Sequence, residues 1–417
     1  MRHRVRILYC CPFSGYSGHH PHAATIEPEI LAKDGVDVAL VTFCGITGNP
    51  KLTVPHYKVL ANDWTFLRWI RKSTIPRWFL MLIETILTIG KAMKICRKLD
   101  YDIIYLRDGE PFLFVSFLLS TPFHNHKWVI SLTGANLFTP RPSAFRFLEN
   151  PFIYFYTTAL RIVSGRVWRP LYRWSLNRNR FMLVTQNEEA KRAYNEHQNG
   201  VFTDSVKCVP LGTSNITTPI PRNETRVKQG LPPDMLVLLS FGAPHSGKDI
   251  RTVIEAIAHT PGVFVVHAGT QSFSLGSNPE NLTKEYKLSD RTKIFNCYIK
   301  EEEKPMLFSA VDALVLSYTR VFKSTSSMLW EAAKYHLPVI SSNANLLGAM
   351  VKEYNLGLLF EAENVESLVH AIKRFKNLRP EEFESMESGR QRFFEDYSSE
   401  KWAKDTLEVC EQLMETK

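Results

Sequence analysis

Two loop-to-helix junctions in the second half of the chain carry residues suited to holding an anion. In "SFGAPHSGKDIRTVIEAIA", a strand-like run ends at Gly242 and Lys248 stands at the start of a helical pattern. A lysine placed there can reach a phosphate, and the helix N-terminus adds backbone donors and a favourable dipole. The Gly-Lys pair is not followed by Ser or Thr, so this is no Walker loop. A solvated surface lysine fits the same pattern. In "RVFKSTSSMLWEAAKYHLPVI", Lys323, Ser324, Thr325, Ser326 and Ser327 precede an apolar helical face, with Glu331 in its second turn. A hydroxyl run before a helix is first of all an N-cap cluster. Its hydroxyls and free N–H groups can also face an anion, with Lys323 as counter-charge. Glu331 lies where the helical face turns back toward the loop, within reach of a sugar diol such as ribose. A cap explains the hydroxyls but not why two junctions each carry a lysine.

The elements that must position these residues read as alternating strands and helices. "RVRILYCCPF" is a short apolar run followed by the loop "SGYSGHHPH", a helical "AATIEPEILAKDG" and a second strand, "VDVALVTF". That succession opens a parallel α/β unit. "YDIIYLRD", "KWVISLTG", "RFMLVTQNE" and "KCVPLGT" are further strands, each ending in polar or small residues. Ligands of open parallel sheets gather beyond such carboxyl ends. Gly15, Gly18, Asp108, Thr133 and Gly134 would therefore face one crevice. "GTSNITTPIPRNETR", from Gly212 to Arg226, reads as a linker. The pattern then restarts with strands in "DMLVLLSFG", "VFVVHAGT", "RTKIFNCYI", "DALVLSY" and "LPVISSN", separated by helices, and ends in the amphipathic "SEKWAKDTLEVCEQLME".

A chain of 417 residues is long for one core, so two domains are expected. With 44% hydrophobic and 22% charged residues the composition is globular and excludes disorder. The 51 Lys+Arg against 42 Asp+Glu leave +9, which favours acidic partners. Seven scattered cysteines, with no metal-ligand spacing, suit a reduced cytoplasmic setting. The N-terminal apolar run is too short for a secretory leader and reads as a buried strand.

Taken together these segments resemble the retaining glycosyltransferases of family 4. The family's donor signature is a strand, Gly-Arg, then Lys-Gly opening a helix that ends in Glu-Ala. Here it reads Gly242, Ala243, Lys248, Asp249, Glu255, Ala256. "FSAVDALVLSY", "EAAKYHLPVISSN" and "YNLGLLFEAENVESLVHAI" resemble the segments that follow, and "CVPLGTS" resembles the pre-linker motif. The resemblance implies a GT-B fold, two Rossmann-like domains facing each other across a cleft, with the C-terminal helix packing back on the N-terminal domain. The implied boundaries are 1–212 for an acceptor-side domain, 213–395 for a nucleotide-sugar domain and 396–417 for the returning helix. It also implies hexosyl transfer from a UDP- or GDP-sugar, with retention, to a lipid-linked or glycan acceptor in polysaccharide biosynthesis. No metal and no other cofactor is expected. Carried over residue by residue, Lys248 holds the pyrophosphate, Glu331 the ribose hydroxyls, and amides near Ser326 and Ser327 the phosphates or sugar. Gly15, Gly18, Gly242 and Lys323 complete the implied donor contacts, while Asp108 and Thr133 are the catalytic candidates, with His19 or His20 as other possible bases. Three positions depart from the pattern: Ala243 replaces the clamp arginine, Lys323 the first glutamate of the pair ending at Glu331, and Thr133 the histidine.

The first half adds two basic and aromatic segments, "WTFLRWIRKSTIPRW" and "LRIVSGRVWRPLYRWSLNRNR". Such composition suits the headgroup zone of an anionic membrane; it also suits single-stranded nucleic acid or a folded surface with Trp in the core. Peripheral attachment to a cytoplasmic membrane face is expected here, with no nucleic-acid partner. "WFLMLIETILTIGKAMKI" is interrupted by Glu84 and Lys91 and does not read as a spanning helix. The alternatives to a transferase are a GT-B-like pseudoenzyme that binds nucleotide sugar without turnover, a basic nucleic-acid-binding protein, and a sugar-nucleotide epimerase.

Overall fold

Near-continuous apolar strands flanked by amphipathic helices can bury both faces of a sheet only in a three-layer α/β arrangement. The computed structural model describes residues 5–15, 19–46, 50–60, 77–108, 126–132, 170, 180–197, 205–210, 212, 218, 220–242, 247–269, 278–320, 322 and 325–415. The chain divides into two units, Met1–Gly212 with Ser399–Lys417, and Thr213–Ser398.

The first unit contains strands β1 (Arg6–Cys11), β2 (Asp37–Thr42), β3 (His56–Lys58), β4 (Ile103–Leu106), β5 (Lys127–Leu132), β6 (Phe181–Thr185) and β7 (Val206–Cys208). They pair in parallel in the order β3-β2-β1-β4-β5-β6-β7. Its described helices are α1 (His19–Lys33), α2 (Arg77–Leu99), α3 (Glu188–His197) and, from the C-terminus, a helix over Ser399–Glu415. Ile89, Ala92, Ile95 and Cys96 of α2 pack on one sheet face with Leu8, Ile104 and Trp128. Ala24 and Leu31 of α1 cover the other face beside Trp402, Val409 and Leu413 of the C-terminal helix. Lys127 donates to the carbonyl of Leu413 at 2.6 Å, which satisfies a helix-end acceptor. The C-terminal helix thus packs on the first unit, as the resemblance implies. Among the described residues no helix is long and apolar enough to cross a membrane.

The second unit contains β8 (Leu236–Phe241), β9 (Val263–Ala268), β10 (Thr292–Phe295), β11 (Ala313–Leu316), β12 (Val339–Ser342) and β13 (Gly357–Phe360). Their order is β10-β9-β8-β11-β12-β13, again all parallel. The helices are α4 (Arg222–Gln229), α5 (Ile250–Ala258), α6 (Pro279–Glu285), α7 (Lys304–Ser309), α8 (Met328–Lys334), α9 (Asn345–Tyr354), α10 (Val365–Lys376) and α11 (Pro380–Asp396). The helix Ser399–Glu415 is accordingly α12. In both sheets the strand order reverses beside the first strand of the unit, which opens a crevice at the carboxyl ends there.

Several elements differ from the sequence reading, among them α6, α9 and β13, which it did not separate from their surroundings. The expected linker ends early, because Arg222–Arg226 already belong to α4. Its polar composition looks loop-like, but Arg226 is buried and donates to Asp312 at 2.6 Å. The acidic side chain of Asp312 also accepts from Arg222 at 2.8 Å and from the Val237 amide at 2.7 Å. A tertiary ion pair, not local propensity, therefore holds this helix. The short edge strand β3 and the whole of α11 also escape sequence reading. The apolar residues of α11 are sparse, and what seats the helix is a close approach. A Cβ at Gly389 would lie 1.9 Å from the Tyr354 carbonyl oxygen, at the end of α9. Gly389→Ala is expected to destabilise the protein by about 1–3 kcal/mol or more, read as a lowered Tm; an unchanged Tm would mean the contact is not tight.

Candidate active site

On the sheet face covered by α5 and α10, apolar residues give way to polar ones as the strands of the second unit end. Leu238, Val265, Val315 and Ile340 pack in the core beneath α5 and α10. By strand alternation, Ser240, His267, Ser317 and Ser342 follow two residues later on the same face. Ser240 and His267 are paired in register, with the Ser240 hydroxyl 3.3 Å from His267 Nδ1.

The loop before α5 is stitched to this crevice by the backbone. Lys248 and Tyr318 form an antiparallel bridge, the Asp249 amide donates to the Ser317 carbonyl at 3.0 Å, and the Thr319 amide donates to Gly247 at 2.9 Å. Asp249 then caps α5 by accepting from the Thr252 amide at 3.2 Å. This fixes Lys248 with its ammonium donating to the Phe241 carbonyl. Gly242 is required beside it: its φ is +95°, and a Cβ there would stand 2.8 Å from Lys248 Nζ.

Burial dominates the electrostatics of this corner. It pulls the Lys248 ammonium down to about 8. Burial likewise pulls His267 down to about 4, with the Lys248 charge adding to the effect, so the imidazole is neutral at pH 7. Among the described residues, His267 Nε2, Ser317 Oγ and Thr319 Oγ1 are buried without a hydrogen-bond partner. Buried polar atoms normally find partners, and an apo binding site is one place where they do not.

Glu331 lies in the first turn of α8 rather than the second. One carboxylate oxygen accepts from Lys304 at 2.7 Å; the other, Oε2, is buried with no hydrogen-bond partner among the described residues. Lys304 also stands 5.9 Å from the centre of the Phe241 ring, the residue whose carbonyl receives Lys248. Lys248, Lys304 and Glu331 are therefore gathered around the end of β8. Ser326 is buried, and its hydroxyl lies 2.7 Å from the Tyr318 hydroxyl and accepts from the Met328 amide at 3.3 Å. Ser327 is the N-cap of α8 but makes no side-chain cap bond, and it is exposed. So the cap function falls to Ser326, through an inward hydroxyl. Lys323 and Ala243 lie outside the described residues, as do Gly18 and Thr133.

In the first unit, the crevice beside β1 and β4 holds a buried charge cluster. Asp108 lies two residues past the end of β4, with a left-handed φ of +57°, and is 2% exposed. Its carboxylate accepts from Arg107 at 3.0 Å, and Arg107 also reaches Glu27 at 3.1 Å and Ser131 at 3.2 Å. Glu27 in turn accepts from the Tyr9 hydroxyl. Burial pushes the Glu27 carboxyl up while Arg107 pulls it back. Gly15 is buried in the turn after β1, and His19 and His20 belong to the first turn of α1 rather than to the glycine loop. The two basic and aromatic segments lie almost wholly outside the described residues.

Sequence reading missed His267, Ser317, Thr319, Tyr318 and Lys304. The available signal was the polar residue closing each apolar run, as in "VFVVHAG" and "ALVLSYT".

Residues 221–392 match the family described as "Glycosyl transferases group 1". Over the whole chain, sucrose-phosphate synthase (tll1590) from Thermosynechococcus elongatus is similar in structure at 18% identity. It covers 99% of this chain and 100% of its own, with a TM-score of 0.71. A glycosyltransferase from Rickettsia africae ESF-5 has 16% identity, the same coverage of 99% and 100%, and a TM-score of 0.69. The Anabaena protein Alr3699/HepE, solved in complex with UDP, has 15% identity, covers 98% of this chain and 100% of its own, and gives a TM-score of 0.69. The fold is GT-B. No curated protein matches the chain. The GT-B resemblance thus rests on sequence only in the second unit, and on architecture in the first. The family match spans Lys248, Lys304, Ser326 and Glu331.

Proposed function

We propose that this protein transfers a hexose from a UDP- or GDP-sugar to a hydroxyl of a lipid-linked or glycan acceptor, with retention of configuration. The observation that carries the reading is the desolvated ammonium of Lys248 at the reversal of strand order, beside a crevice in which, among the described residues, His267 Nε2, Ser317 Oγ and Thr319 Oγ1 are buried without partners. The group 1 match supports it, as does the Anabaena neighbour, which was solved with UDP-glucose. In the reaction the bond from sugar C1 to the diphosphate oxygen breaks, and C1 bonds to the acceptor oxygen. Negative charge collects on the leaving phosphate, where a fixed ammonium acts most strongly. Lys248 would supply that charge, with Gly242, Lys323 and amides near Ser326 and Ser327 around the phosphates. The acceptor proton goes to a base, for which Asp108 is the candidate. The lysines would do the work a metal does elsewhere, so no metal is needed. The cytoplasm, at an anionic membrane face, is the proposed place of work.

Ala243 and Lys323 in place of the family's arginine and glutamate favour a second reading, nucleotide-sugar binding without turnover. Calorimetry against UDP- and GDP-sugars, followed by a transfer assay with lipid-linked acceptors, separates the two. Binding in the micromolar range with transfer is the expected result. Binding without turnover on any acceptor establishes the second reading, and indifference to every nucleotide sugar overturns both.

A further inference from the structure

The ion pair between α7 and α8 is built in an unusual way. Lys304 is buried, and its ammonium is shared between Glu331 at 2.7 Å and Glu301 at 2.7 Å, over the Phe241 ring. Burial alone would lower the lysine, but the two carboxylates more than offset it and its affinity for the proton is raised. The ammonium is thus a permanent cation. It engages only one oxygen of Glu331, and among the described residues Oε2 is left desolvated without a donor. A pair that served only to join two helices would be expected to saturate the carboxylate, because a bare buried acceptor costs free energy. The Glu331 side chain is 17% exposed, so the group stands at the rim of the crevice.

We infer that Lys304 is a positioning residue for nucleotide recognition. It locks Glu331 in one rotamer and leaves Oε2 as a single acceptor reserved for a ribose hydroxyl. The inference rests on the nucleotide-sugar reading and adds a consequence: this site discriminates ribonucleotides from deoxyribonucleotides through Lys304. A deoxyribose that lacks the hydroxyl leaves Oε2 unpaired, and sites built on a hydrogen bond reject ligands that cannot make it.

The test compares UDP with 2′-deoxy-UDP, and GDP with 2′-deoxy-GDP, by calorimetry on the full chain. The wild-type protein is expected to prefer the ribonucleotide about tenfold or more, as one hydrogen bond to a charged group predicts. Lys304→Met frees Glu331 to turn away and should bring the preference to within about threefold, mainly by weakening the ribonucleotide. Lys304→Arg keeps the charge pair, but a guanidinium forks onto both carboxylate oxygens and occupies Oε2. It too should erase the preference, and it serves alone if the Met variant does not fold. A purely structural ion pair predicts the opposite for Arg: an intact preference with an unchanged Tm. An undiminished preference in Lys304→Arg, or equal wild-type binding of the ribo and deoxy forms, overturns the inference but leaves the donor site standing. No binding of either nucleotide by the wild-type protein overturns the donor reading and this inference with it.

Discussion

Lys248→Met is expected to lower affinity for a nucleoside diphosphate by about 30-fold to several thousand-fold at pH 7, since losing one member of a buried charge pair costs about 2–5 kcal/mol. The same change should raise stability. Burial holds the Lys248 proton affinity down to about 8, so the unfolded chain binds the proton more tightly than the folded one. Stability from this group therefore rises with pH between about 8 and the ordinary lysine value, and below pH 8 the buried charge destabilises the apo protein. Methionine keeps the aliphatic stem and removes the charge, so Tm at pH 7 should rise by a few degrees. Binding should also weaken in the wild-type protein as pH climbs through 8, when the ammonium loses its proton. Titration calorimetry from pH 6.5 to 9.5 reads both effects. An unchanged affinity in Lys248→Met would remove the lysine from the phosphate site.

Asp312→Ala should have the largest effect on stability, about 3–5 kcal/mol, because it strands a buried guanidinium. Arg226 spends one nitrogen on Asp312 and the others on the carbonyls of Ala310 and Pro233, at 3.0 and 2.9 Å. Removing the carboxylate leaves the charge in place without its counter-ion, and the Val237 amide at the start of β8 without its acceptor. Urea unfolding followed by far-UV dichroism measures the loss, seen as a lower midpoint at unchanged slope. Arg226→Met together with Asp312→Ala removes both charges and should recover much of the stability, since a buried pair is worth less than the cost of breaking it. A single Asp312→Ala change within 1 kcal/mol of the wild type would show that the pair is not desolvated as its burial implies.

Both residues illustrate how sequence and tertiary structure divide the work. Lys248 was legible as a candidate because a strand, a glycine and a helix start are local patterns with local causes. Its environment was not legible: the bridge to Tyr318 joins residues 70 positions apart, and the Lys248 charge acts on His267, a residue of another strand. The hydroxyl run before α8 shows the same limit. Sequence places four capping-type residues there, but which hydroxyl turns inward was decided by Tyr318, a residue just past the end of β11.

By itself the sequence determined the alternation of strands and helices, because a period of two or an apolar run is set by neighbouring side chains. It determined that the chain restarts as a second α/β unit, and it determined Lys248 and Glu331 as candidates through their motif. Tertiary structure alone decided that α4 is a helix, that α11 seats against the end of α9 through Gly389, and that Lys304 holds one oxygen of Glu331. Each of these depends on a contact between residues distant in the chain, an ion pair or a close backbone approach, whose free energy has no trace in local spacing.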